Sequence, residues 1–88
     1  MGRILVAEDD PQVGHVLAER LKEDGHAVKL AADAETALEY MKKRAVDLIL
    51  LDLRLPGKSG LDMFNEMRDT PAIARQNMVV VVLTNVDD

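Results

Sequence analysis

The residues best placed for chemistry are carboxylates at the ends of two short apolar runs. Glu8-Asp9-Asp10 follows Ile4-Leu5-Val6-Ala7, and Asp52 follows Val46-Asp47-Leu48-Ile49-Leu50-Leu51. Runs of this length, with little polar alternation, read as strands covered on both faces, as in a parallel sheet. Open α/β sheets bind ligands outside the carboxyl ends of their strands. If the two strands are neighbours, three or four carboxylates converge at one edge. Crowded like charges raise one another's pKa unless a cation neutralises them. Oxygen-only ligands call for a hard divalent ion, Mg2+ or Mn2+, in preference to zinc or copper. Thr84 follows a third apolar run that starts at Met78 and ends at Leu83. A carboxylate at such an edge can attack phosphorus to give an acyl phosphate, with a hydroxyl donating to the transferred oxygens.

The intervening residues must position these groups, and their signals alternate between strand and helix. Asp10-Pro11 reads as an N-cap with proline at the first helical position. Val13, Val16, Leu17 and Leu21 then recur at helical spacing, and Gly25 is a stop. Residues 26–32 form a second strand, placed at an edge by Lys29. Asp33 caps a helix that turns Ala34, Ala37, Leu38 and Met41 inward, with Lys42-Lys43-Arg44 at its C-terminal dipole. Residues 46–51 are the third strand. Ser59 and Asp62 have capping-box spacing and open a helix carrying Leu61, Phe64 and Met67. Residues 70–77 are a polar connection around Pro71, and residues 78–83 form a fourth strand. The order βαβαβαβ predicts a parallel sheet with helical crossovers, helices lying on both faces.

The totals narrow the classes. Eighty-eight residues, 48% hydrophobic and 31% charged, describe one small globular domain. A net charge of −5 provides no basic face for phosphate neutralisation, which argues against nucleic-acid binding by this chain. The absence of cysteine removes disulfides and thiolate metal sites. No apolar stretch approaches a membrane span and no signal-peptide core is evident, so the expectation is a cytoplasmic protein with no membrane association.

Three segments together resemble the receiver domain of two-component response regulators: residues 4–11, residues 47–60 with Asp52 followed by Leu53-Arg54-Leu55-Pro56-Gly57-Lys58-Ser59-Gly60, and Val80-Val81-Val82-Leu83-Thr84. The resemblance covers essentially the whole chain. It implies a flavodoxin-like sheet ordered second, first, third, fourth, with right-handed crossovers. It also implies that Asp52 is the phosphoacceptor and that Asp9 ligates Mg2+ directly, with Glu8 acting through water. The backbone carbonyl of Arg54 becomes a further ligand, and Thr84 the switch hydroxyl. The implied partner is a histidine kinase or phosphotransfer protein, and the module is a signalling domain rather than an enzyme.

The chain departs from the family pattern in two ways. No lysine follows Thr84, so the catalytic lysine of the family has no counterpart, and Lys58 is poorly placed to replace it. The residue after Thr84 is Asn85, where a small one is usual. The unalternating valines of residues 78–83 read as an interior strand with no outer neighbour to follow. The expectation is therefore a single receiver-like domain over residues 1–88, incomplete at its C-terminus and lacking the fifth strand and last helices. Two alternatives follow: a phosphorylation-impaired fragment that forms dimers or larger species through the Met78-to-Leu83 edge, and an aspartate-nucleophile phosphatase. Phosphatases of the haloacid-dehalogenase type carry a second aspartate two residues after the nucleophile. Arg54 occupies that position and weighs against them. Asp10 reads as a helix cap, His15, His26 and Tyr40 as surface residues, and the methionines as core filling.

Overall fold

The computed structural model describes residues 2–83. Four strands, β1 (Arg3–Ala7), β2 (Ala27–Ala31), β3 (Leu48–Asp52) and β4 (Val79–Leu83), form one sheet in the order β2-β1-β3-β4. Every pairing is parallel. Ala7 lies beside Ala31 and Leu51, and Asp52 beside Leu83, so the carboxyl ends of all four strands share one edge.

Four helices connect them: α1 (Pro11–Glu23), α2 (Ala34–Lys43), α3 (Gly60–Asp69) and the single turn α4 (Pro71–Ala74). The starts are locally determined. Asp10 accepts from the amides of Gln12 (2.9 Å) and Val13 (3.4 Å) with Pro11 at the first position. Asp33 accepts from Thr36 (2.7 Å), which holds its carboxyl below the usual range. Ser59 Oγ accepts from the Asp62 amide (3.1 Å). Gly25, with φ of 94°, ends α1 in the left-handed conformation that glycine adopts without a Cβ penalty.

Strand alternation separates two faces. Leu5, Ala7, Ala31, Ile49 and Leu51 join Leu38, Met41, Met63, Met67 and Ile73 in one buried cluster beneath α2, α3 and α4. Ile4 and Val6, one residue out of phase, are buried on the opposite side, where α1 packs on β1 and β2. Parallel register puts Leu48, Leu50, Val79 and Val81 on the α1 side as well. Val79 and Val81 are 57% and 38% exposed there. β4 is thus an outer strand among the described residues, with neither face fully covered.

The structure corrects three local expectations. Val13 and Val16 face solvent, and α1 buries Gly14 and Ala18 instead, with Leu17 and Leu21 half-buried. Residues 70–77 are not purely a loop, because α4 buries Ile73 and Gln76 closes the turn. The Gln76 amide accepts from Val46 N (2.9 Å) and donates to the carbonyls of Met41 (2.7 Å) and Ala72 (3.1 Å). His26 is half-buried and accepts from Gly2 N (3.1 Å) through Nδ1. Tyr40, half-buried against the core, accepts from Arg3 (3.2 Å) while Lys29 lies over its ring. The methionines at 41, 63 and 67 are core residues, as expected.

Candidate functional site

β1 and β3 are adjacent, so their carboxyl ends bring Glu8, Asp9 and Asp52 together. One carboxylate oxygen from each lies within 4.8 Å of the others. Glu8 and Asp52 are partly buried and Asp9 is exposed. Burial pushes the Glu8 carboxyl above its usual pKa, and the neighbouring Asp52 and Asp9 carboxylates add to the rise; the Asp10 amide, donating to Glu8 Oε2 at 3.1 Å, opposes it. The site therefore holds more negative charge than its own donors neutralise. Across an octahedral shell of a small hard cation, opposite oxygens sit about 4 Å apart, twice a bond of ~2.1 Å. Three carboxylate oxygens already within 4.8 Å of each other fit such an ion after a small contraction.

The loop between Asp52 and α3 orients the acceptor. Arg54 N donates to Asp52 Oδ1 at 3.0 Å. The loop closes on itself where Gly60 N donates to Leu53 O at 3.0 Å, and a Cβ at Gly60 would stand 2.8 Å from Leu53 Cα. Only glycine fits that approach. Leu55 is 5% exposed and plugs into the core, while the Pro56 carbonyl accepts from Ala34 N (3.4 Å) at the start of α2. Lys58 Nζ pairs with Glu66 Oε1 of α3 at 3.0 Å, and that partner raises the lysine pKa.

The predicted grouping of Glu8, Asp9 and Asp52 is present. At Arg54, the structure shows the amide in contact with Asp52, a contact the sequence did not announce. Asp10 acts as a cap, with its amide serving Glu8. Leu83 pairs with Asp52, and the next residue, Thr84, lies outside the described residues with Asn85. Glu66 was missed as the partner of Lys58. Eight positions separate the two, and no periodic signal spans an irregular loop.

Three strand-end segments in the order β1, β3, β4, with the acidic trio assembled, carry the resemblance to receivers. The response regulator receiver domain family matches residues 4–88. The chain belongs to that family. This receiver is 36% identical over 88 residues to the transcriptional regulatory protein BaeR of Escherichia coli, covering 97% of this chain and 35% of BaeR. It is 46% identical over 66 residues to the two-component response regulator PhoP of Pseudomonas aeruginosa, covering 75% of this chain and 29% of PhoP. The chain spans about a third of the length of these curated relatives. Among solved structures, the response regulator TrrA of Thermotoga maritima in complex with Mg(2+)-BeF superposes with a TM-score of 0.82 at 34% identity, over 96% of this chain and 70% of that one. The non-phosphorylated HemR receiver domain of Leptospira biflexa gives 0.84 at 32%, over 100% and 68%. The flavodoxin-like fold and the receiver family are therefore both established, and the relatives are signalling proteins rather than conventional enzymes. No helix among the described residues is long and apolar enough to cross a membrane.

Proposed function

We propose that this receiver accepts a phosphoryl group on Asp52 from a phosphohistidine of a cytoplasmic histidine kinase or phosphotransfer protein. The observation that carries the reading is the convergence of Glu8, Asp9 and Asp52 at the carboxyl edge of β1 and β3. Asp52 has one oxygen engaged by Arg54 N and a second with lone pairs for attack on phosphorus. The Asp52 oxygen–phosphorus bond forms as the phosphorus–nitrogen bond breaks, the electron pair leaving with the imidazole. Asp9 and Asp52 would hold Mg2+ or Mn2+ directly, with the Arg54 carbonyl, and Glu8 through water. When bound, such an ion supplies charge neutralisation for the attacking carboxylate and the phosphoryl oxygens. That a solved relative is a complex with Mg(2+)-BeF supports the choice of ion. The Thr84 hydroxyl is the donor assigned to the transferred oxygens. The added charge, about −1.5 to −2, then changes the interaction surface of the domain.

Metal titration followed by amide chemical shifts tests the site. Shifts centred on Glu8, Asp9, Asp52 and Arg54 are expected. Shifts centred elsewhere would remove the assignment.

The exposed valines of β4 favour one further property, pairing with a second copy. Val79, Val81 and Val82 are 57%, 38% and 46% exposed on an outer strand, an arrangement that recruits another strand unless it is covered. Sedimentation of the 88-residue chain should show a dimer or larger species that Val81→Lys reduces. An unchanged monomer in both would refute the pairing.

A further inference from the structure

The Lys58–Glu66 pair differs from the pairs His15–Glu19, Arg20–Asp24, Lys42–Glu39 and Arg68–Asp69. Those are 3.6–4.0 Å long and join residues at most four apart, mostly along one helix face. Lys58–Glu66 is 3.0 Å long, is more sequestered than these four, with side chains 29% and 39% exposed, and joins the loop after Asp52 to the middle of α3. Glu35 at the start of α2 and Asp62 in the first turn of α3 also attract the ammonium group. Lys58 is therefore a cation set among carboxylates from two helices.

The loop it anchors starts at the acceptor. Its remaining attachments are the Gly60–Leu53 closure at its root, the Ser59 cap, whose Oγ and carbonyl accept from the Asp62 and Met63 amides of α3, the buried Leu55 and the Pro56 carbonyl at the start of α2. Ser59 is tied to α3 by its cap, and Lys58–Glu66 adds the ionic tie between the same segment and α3. Lys58 lies four residues along this loop from Arg54, whose amide donates to one oxygen of Asp52.

We infer that Lys58 and Glu66 are a positioning pair: their contact holds the loop so that the Arg54 amide keeps Asp52 oriented, and thereby sets the metal affinity of the site. The inference rests on the reading of Asp52 as acceptor, but its first consequence can be read without metal. In the metal-free 88-residue chain, solvent exchange of the Arg54 amide proton should speed up roughly two- to five-fold in Lys58→Gln and in Glu66→Gln, the range set by a partly exposed ion pair. Lys58→Arg should stay at the wild-type rate. The double variant should be no faster than either single one, because both remove the same contact. The Gln12 amide, held by Asp10, should not change in any of them. With Mg2+ added, both single variants should bind roughly two- to five-fold more weakly, again with Lys58→Arg unaffected.

Unchanged Arg54 exchange in both single variants would overturn the inference. So would an additive double variant, or a Lys58→Arg that behaves like Lys58→Gln. If wild-type chain shows Arg54 exchange sensitive to the pair but no Mg2+ response near Asp52, the metal reading fails and the link from pair to affinity fails with it. Wild-type Mg2+ binding at Asp52 with insensitive exchange overturns this inference alone.

Discussion

The carboxyl edge of β1 and β3 and the layer under α2 and α3 are built from the same strands, yet they obey opposite rules. Beneath the helices every large side chain has apolar neighbours: Leu38, Met41, Ile49, Leu51 and Met63 are at most 2% exposed. At the edge, a few residues further along each strand, three carboxylates face one another, and Glu8 is pushed away from its charged form by burial and by those neighbours. A sequence selected for stability alone would not place them so. Local inconsistency of this kind marks sites where function is served at the cost of stability. The core holds the edge in place.

The largest effect should come from the core. Leu38→Ala removes a side chain that is 2% exposed and should cost about 2–5 kcal/mol in urea unfolding. A cost near zero would mean that the cluster is loosely packed and the contrast is false.

Gly60→Ala tests the hinge between the two regions. Its Cβ would meet Leu53 Cα at 2.8 Å, so backbone must shift, at a cost of about 1–3 kcal/mol. Unlike Leu38→Ala, it should also disturb the Arg54 amide resonance at full folding.

Glu8→Gln should act in the reverse direction. Removing one of three facing carboxylates should raise the metal-free Tm at pH 7 while weakening Mg2+ binding. The sign follows from linkage. Folding raises the Glu8 pKa, so its ionisation opposes folding, and the stability it contributes is present at low pH and lost as pH rises through the folded-state pKa. The Tm gap between variant and wild type should therefore close below about pH 4, where the glutamate is protonated in both states. A gap independent of pH would assign the effect to packing.

The smallest effect is expected at Val16→Gln. That side chain is 67% exposed, so stability should move by no more than about 0.5 kcal/mol. A larger loss would restore the α1 face that periodicity alone indicates.

That face shows where sequence reading stops. The runs at residues 4–7 and 46–51 and the caps at Asp10, Asp33 and Ser59 were legible because each is carried by local pattern, and the strand order came from the resemblance to receivers. For α1, hydrophobic spacing favoured the valines. Packing instead chose the small side, Gly14 and Ala18, which lies against Leu30 and Glu8, where even a Cβ at Gly14 would be in contact with Leu30 at 3.4 Å. Hydrophobic spacing carries no information about how closely two elements approach. The turn at Pro71–Ala74 is too short for any periodicity to register. In the site, the acidic trio was legible as residue types at strand ends. The contacts that orient it, Arg54 N on Asp52 and Lys58 on Glu66, depend on an irregular loop whose path no pattern encodes.

The central claim is that the crowded carboxyl edge exists to receive a phosphoryl group on Asp52. The most direct measurement is intact-mass and peptide mapping of the chain after incubation with a small phosphodonor, with and without Mg2+, beside Asp52→Asn. The account predicts a single phosphoryl adduct, cleaved by base and by hydroxylamine, that maps to Asp52, requires Mg2+ and is absent from Asp52→Asn. An adduct on another residue, or one that persists in Asp52→Asn, would contradict it.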